Sequence, residues 1–400
     1  MVKISFFLSF GKLVTLLFPC LSFIRYFCVI TWNFFMKKIH ILFLLFTLGF
    51  SYYSLGQVKY SNEFLSIGVG ARALGMGGAV TGSVNDVTSN FWNPAGLSQI
   101  ESGFQVAAMH TSWFSGVGNY DYIGVAKKLN SNNSSISIGL IRFGIDGIPN
   151  TLELIDENGE IDYNRIKTFS AVDYGIFGSY ARALKNPNWR VGGSVKIVRR
   201  TIGDFANSIG FGVDLGLQHL GEKFYFGIMA KDITTTFNTW KGTFSEADKA
   251  ILTATGNDVI VKGTETTTPT LILAGGVKTL IGNNSGLLFE LNLDATTDGK
   301  RNVLISADPI SINPHLGVEY RYKQLFFLRG GINNLQQIVD ITNQNKKTWN
   351  VQPNVGVGIN IGAVNIDYAL TNIGNVSETR LSHVFSLKLS LSPKKVEVDQ

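Results

Sequence analysis

Residues 210–218 read GFGVDLGLQ, in which Phe211, Val213, Leu215 and Leu217 alternate with Gly210, Gly212, Asp214, Gly216 and Gln218. Successive side chains of a strand point to opposite faces of the sheet, so this period of two predicts a strand with one apolar face and one face that is polar or bare. The phase recurs where Leu287, Phe289, Leu291 and Leu293 alternate with Glu290, Asn292 and Asp294. It recurs again where Val355, Val357, Ile359 and Ile361 alternate with Asn354, Gly356, Gly358 and Asn360.

Alternation alone does not name the solvent, but length does. Strands are predicted at 102–109, 119–128, 134–143, 172–182, 189–200, 208–219, 223–232, 268–279, 285–294, 312–322, 325–332, 351–361, 363–371 and 382–391, an even set of fourteen. Many run close to the ~9–11 residues that a tilted strand needs to cross a bilayer. The links sort in the same sense. After even-numbered strands they are tight, as in Lys185–Asn188, Gly221–Glu222, Gly282–Asn284, Lys323–Gln324 and Gly362; after odd-numbered strands they are mostly longer, as in 144–171, 233–267, 295–311 and 333–350. Short turns on one side and long loops on the other are the plan of an up-and-down barrel, and closure satisfies every backbone group in lipid. The predicted fold is all-β, a 14-stranded antiparallel transmembrane β-barrel spanning 101–391, followed by a C-terminal tail at 392–400.

Composition agrees. The chain has 43 Gly and 28 Phe against 9 Pro, and only 16% charged residues. Its formal charge of +6 is no sign of nucleic acid: Lys3, Lys12, Arg25, Lys37 and Lys38 lie in an acid-free leader, which leaves 30 basic against 29 acidic residues in the body. From Met36 the chain reads MKKIHILFLLFTLGFSYYSLGQ, a basic start, an apolar run and small residues before Gln57, as in a signal peptide over 36–56. Residues 1–35 are read as an upstream extension, with translation beginning at Met36; Arg25 and Pro19 interrupt them too much for a spanning helix. Both cysteines, Cys20 and Cys28, fall there, so no thiol chemistry is expected in the exported chain.

Residues 57–100 fit neither strand nor long helix. Their small residues, among them Gly75, Gly77 and Gly78, suit a segment packed in a confined space, and are read as a plug inside the barrel. Asn93 before Pro94 predicts a capped turn, Asn93-Pro94-Ala95-Gly96, because Asn accepts from a free helical N–H and Pro needs none at the first position. Phe91 and Trp92 are its apolar anchor.

The stretch FLSIGVGARALGMGGAVTGSVNDVTSNFWNPAGL (64–97) resembles the N-terminal signature of the PorV/PorQ family, FadL-like outer-membrane barrels associated with the type IX secretion system of Bacteroidetes. The Asn-Pro-Ala-Gly element is shared with FadL fatty-acid transporters, where it lies in the N-terminal hatch. The resemblance implies a FadL-like, non-enzymatic barrel in the outer membrane, with Gly75, Gly77, Gly78, Trp92, Asn93, Pro94, Ala95 and Gly96 as the plug motif. It implies partners in the outer-membrane lipid, in the type IX translocon or attachment-complex proteins, and in the C-terminal domains of secreted cargo. The alternative it leaves open is a FadL-like transporter of long-chain fatty acids or other hydrophobic small molecules. Which paralogue it matches stays open.

Other constellations yield to plainer readings. The glycines of 68–78 are followed by no Gly-Lys-Ser/Thr and no βαβ unit, so they are not a nucleotide loop. Asp156, Asn158, Gly159 and Asp162 resemble part of a Ca²⁺ loop, but Leu154 and Arg165 occupy ligand positions, and a hairpin turning at Asn158-Gly159 is expected. The five histidines stand singly, and no cofactor or metal is expected. Asp214, Glu290, Asn292, Asp294 and Asp367 share the inward phase and are read as a polar lumen, not a catalytic pair.

Overall fold

In the alternating stretches the β-branched and aromatic residues fall on one phase, which favours the pleated backbone and gives each strand a face to bury in lipid. The computed structural model describes residues 61–391, save 102, 114–115, 130–132, 156–158, 257–258, 260–261, 340–346 and 372–380. The segments expected as an upstream extension (1–35), a signal peptide (36–56) and a tail (392–400) lie outside the described residues.

Every predicted strand is present. They are β1 (Phe104–Trp113), β2 (Gly118–Leu129), β3 (Ser134–Asn150), β4 (Lys167–Ala183), β5 (Trp189–Ile202), β6 (Ala206–Leu220) and β7 (Phe224–Lys231). A hairpin follows, β8 (Thr236–Gly242) and β9 (Lys262–Thr267), and then β10 (Thr270–Ile281), β11 (Ser285–Thr296), β12 (Ser311–Tyr322), β13 (Phe326–Val339), β14 (Lys347–Ile361), β15 (Val364–Thr371) and β16 (Ser382–Leu391). All pairs are antiparallel; β1 pairs β16, and β5 pairs β6, so the sheet closes. Neighbours in sequence pair around the ring, with β7 passing directly to β10, which makes a barrel of fourteen strands.

The link 233–267, expected as a loop, is itself structured. β8 continues the course of β7 after a break at Asp232 and Thr235, both left-handed (φ 56 and 59). β7 pairs with Leu215–Leu220 of β6, and β8 with Ala206–Phe211 higher on the same strand. Thr236–Lys241 and Gly263–Thr266 alternate and are rich in Thr, a strand signal that the surrounding polar residues obscure. Between them α3 (Glu246–Ala254) starts on a capping box in which the Asp248 amide donates to Ser245 Oγ at 3.1 Å. In the 151–166 link, Ile155 bridges Ile161 antiparallel and Gly159 has φ +85, while Asn158 of the expected turn lies outside the described residues.

The outward phase is apolar, with Phe211, Phe289, Leu328 and Phe385 exposed, as a lipid-facing wall demands. The chain from Ser61 to Ile100 fills the lumen as two short helices, α1 (Ala71–Gly75) and α2 (Ser89–Trp92), and two 3-10 turns, Glu63–Ser66 and Pro94–Gln99. Val69, Met76, Val80, Ala95 and Leu97 are fully buried, so the principal core of this barrel is its plug.

Candidate functional site

The plug is held by bare patches on the inner wall. A side chain at an inward glycine of the wall would collide with plug backbone: a Cβ on Gly192 (β5) would lie 2.5 Å from the Pro94 carbonyl carbon, one on Gly227 (β7) 2.6 Å from the Thr81 oxygen, and one on Gly331 (β13) 2.1 Å from the Met76 carbonyl carbon. Gly216 (β6) faces Asn93 and Pro94 in the same way. The inward glycines that make these strands look weak are the cradle in which the plug backbone lies.

The predicted plug residues separate into two groups on different parts of the wall. Gly75 abuts Gly356 of β14, and Gly77 abuts the backbone of Ile332 in β13, where its left-handed φ of 65° and the absence of a Cβ both matter. Asn93, Pro94 and Ala95 face β5 and β6 at Gly192 and Gly216. Trp92 reaches between the groups: its ring lies near Gly78, and its Nε1 donates to the Val69 carbonyl at 2.7 Å. The expected cap is present, with Asn93 Oδ1 accepting from the Ala95 amide at 3.2 Å and Pro94 at the first position of the turn. Asn93 Nδ2 also donates to the Thr81 carbonyl (2.9 Å) and to the Leu217 carbonyl of β6 (3.1 Å), tying plug to wall. Gly96 fits because a Cβ there would sit 2.3 Å from the Val84 carbonyl oxygen.

The inward acids are not a solvated lumen; they anchor the plug or the wall. Glu290 accepts from the Gly82 amide at 2.6 Å, and Asn292 donates to the Gly78 carbonyl at 3.2 Å. Asp214 and Asp232 both hold the buried Lys196 ammonium, at 2.8 and 2.6 Å, and the Asp232 amide donates to Asp214, which bridges the break between β7 and β8. A longer ladder begins on the plug: Arg72 pairs with Glu319 (2.9 Å), Glu319 with Arg329 (2.7 Å), and Arg329 with Asp367 (2.6 Å). Gly358 of β14 leaves the gap across which β13 reaches β15, since a Cβ there would lie 2.2 Å from Asp367 Oδ1.

Arg72, Asp86, Lys196, Glu319, Arg329 and Lys388 were not singled out in the sequence. Their signal was faint, a charge on the inward phase of a strand, or a lone charge in a run of small residues. Asp86 accepts from the Lys388 ammonium at 2.6 Å and from the Thr88 hydroxyl at 2.6 Å. Burial disfavours the Asp86 carboxylate, but the Lys388 charge and these hydrogen bonds outweigh it and hold the carboxyl well below the usual range. Burial likewise opposes the Arg72 charge, and the Glu319 carboxylate more than restores it.

On the long-loop side of the plug lies a cavity of about 600 Å³. Leu65, Leu74, Phe91 and Trp92 of the plug line it with apolar surface, and Asn313, Asn333, Gln352 and Asn354 line it with amides. Lys231 stands over the Phe91 ring at 5.0 Å and donates to the Leu65 carbonyl at 3.1 Å. His315 Nδ1 sits 2.8 Å from the Gly77 carbonyl and Nε2 3.4 Å from Asp294, so cavity wall and plug are joined there.

A fourteen-strand closed barrel with this internal plug can be compared with solved structures. In fold the chain is similar to toluene transporters. The Pseudomonas putida toluene transporter TodX superposes with a TM-score of 0.51 at 14% identity, over 84% of this chain and 100% of that one. The Ralstonia pickettii toluene transporter TbuX gives 0.50 at 14%, over 81% and 98%. The CymD monoaromatic hydrocarbon channel gives 0.50 at 15%, over 82% and 98%. No family model matches the chain, and no curated protein matches it. The FadL-like architecture expected from the sequence is therefore present, while at these identities the likeness concerns fold alone.

Proposed function

We propose that this protein is an outer-membrane transporter of small hydrophobic molecules, in which residues 61–100 gate the lumen. The observation that carries this reading is the cavity floored by Phe91, Trp92, Leu65 and Leu74 directly on a plug of small residues. Its volume lies in the range of small-molecule sites, ~300–1,000 Å³, and its wall of amides, hydroxyls and charges closes over the apolar patch of the plug. The plug backbone crosses the wall on glycine at Gly192, Gly227 and Gly331, so at those crossings no wall side chain stands in the way of a shift. The shared fold with hydrocarbon channels supports the same reading. No step in it needs catalysis. The signal peptide at 36–56 supplies the export that an outer-membrane location requires.

Uptake tests it: cells lacking the protein should take up radiolabelled toluene or oleate more slowly, and the wild-type gene should restore the rate. Equal rates with and without the protein for both an aromatic and a fatty acid would remove the proposal.

A second reading, binding of secreted cargo or attachment-complex proteins in type IX secretion, draws support from the 64–97 signature and from the β8–β9 hairpin with α3, which offers a protein-sized surface at the long-loop end. Loss of surface cargo on deletion, with uptake unchanged, would favour it over transport.

A further inference from the structure

Two sectors of the outer wall differ in the charge they carry. Across β10, β11 and β12 the outward phase runs through Leu271, Leu273, Phe289, Leu291, Leu316 and Tyr320 and carries no charged side chain from Thr270 to Tyr322 within the strands. On β1–β5 the matching surface carries His110, Asp121, Arg142, Tyr174 and Arg199. These five are direct register partners, His110 opposite Asp121, Asp121 opposite Arg142, Arg142 opposite Tyr174 and Tyr174 opposite Arg199. They share the phase of exposed Ile138, Ile176 and Ile197, so they face outward.

Height separates a liability from a site. Arg142 is eight residues along β3 from its short-link end at Ser134, and Arg199 is ten along β5 from Trp189. With a rise of ~3.3 Å and a tilt of ~40°, the two lie roughly 20 and 25 Å up a lipid-facing band that is itself ~25 Å tall. They therefore stand at the boundary on the long-loop side, where an outward arginine costs little, and not at the midplane.

The charges do not cancel within the sector. Asp121 takes His110 at 2.7 Å and Arg142 at a loose 3.6 Å, while Arg199 pairs with no carboxylate among the described residues. Two guanidiniums thus flank the Tyr174 hydroxyl across two strand spacings, about 10 Å. Below them the wall is aliphatic. This combination, cationic forks and a hydroxyl above an apolar surface, fits a phosphate with acyl chains beneath it, because guanidinium recognises phosphate oxygens in a bidentate manner. We propose that the β1–β5 sector binds the phosphate headgroup of an anionic lipid in the leaflet on the long-loop side, through Arg142, Tyr174 and Arg199.

The test is lipid retention. The purified protein is equilibrated in micelles containing equal phosphatidylglycerol and phosphatidylcholine, and bound lipid is counted by native mass spectrometry. The wild type is expected to retain phosphatidylglycerol preferentially, the preference falling about fivefold on Arg199→Gln and further in R142Q/R199Q, with the lysine pair R142K/R199K, which keeps the charge but loses the fork, falling between wild type and R142Q/R199Q. Heat-resistant electrophoretic migration confirms that each variant is folded; Arg199→Gln breaks no ion pair and decides the matter if the double variant does not fold. An unchanged lipid ratio in folded R199Q and R142Q/R199Q would overturn the proposal. So would a photo-crosslinker at position 197 in native membranes that captures a protein in place of lipid.

Discussion

Gly192→Ala puts the cradle to the test, because one methyl group on the wall should unseat a turn that lies ninety-six positions or more away at no cost to the barrel. The new Cβ would meet the Pro94 carbonyl carbon at 2.5 Å, the Ala95 nitrogen at 2.6 Å and the Pro94 oxygen at 2.7 Å, and all three are backbone. Ordinary contact begins at 3.4 Å, so the turn must retreat by about 0.9 Å. Overpacking of this kind costs ~1–3 kcal/mol. The same retreat stretches the Asn93 bonds to Thr81 and Leu217, now 2.9 and 3.1 Å, each worth ~0.5–1.5 kcal/mol. Together these put the turn about 2–6 kcal/mol closer to its displaced state, which is roughly a 30- to 20,000-fold rise in that state's population. Hydrogen exchange read by mass spectrometry on peptides covering 91–100 should accelerate by that factor, with the strands unchanged. Gly275→Ala on the outward face of β10, which has nothing within 4 Å, is the control. Exchange within about threefold of wild type in a folded G192A barrel would refute the cradle.

Asn93→Ala removes the cap, a hydrogen bond within the plug to Thr81 and one to the wall at Leu217, so the plug should lose about 2–4 kcal/mol of local stability and hydrophobic-solute uptake should change while the barrel's thermal midpoint holds; uptake and a melting curve measured together check this. Arg329→Leu should destabilise the barrel by ~3–5 kcal/mol, more than Arg72→Leu, because it strips Asp367 of Arg329 whereas Glu319 keeps Arg329 when Arg72 is lost; denaturant unfolding of the two variants ranks them. Asp86 has a folded carboxyl value below its unfolded one of ~3.9, so its pairing with Lys388 contributes in full above that value and is lost as pH falls through the folded one. Protection of the plug amides should accordingly weaken from about pH 4 downward, and Asp86→Asn should reduce that dependence in the peptides around residues 84–88 without changing it elsewhere in the chain.

What the sequence determined by itself was the wall. A period of two is a local property, since each residue's face follows from its neighbours' geometry, and the alternation around Phe211–Gln218 and Val355–Ile361 placed strands, faces and the even count without any long-range information. The link 233–267 escaped because its strands are polar on both sides of the pleat, being tips beyond the lipid where no apolar face is needed. Asn93 and Pro94 were legible for the same local reason, as a cap is made within two residues. What only the tertiary structure decided was how the plug is held. Whether Gly192 and Gly331 are weak points or a cradle depends on Pro94 and Met76, far off in sequence. Whether Glu319 and Asp367 face water or a buried arginine depends on three strands and the plug meeting at one height. Closure of the barrel sets those distances, and with them turns a polar lumen into an anchored gate.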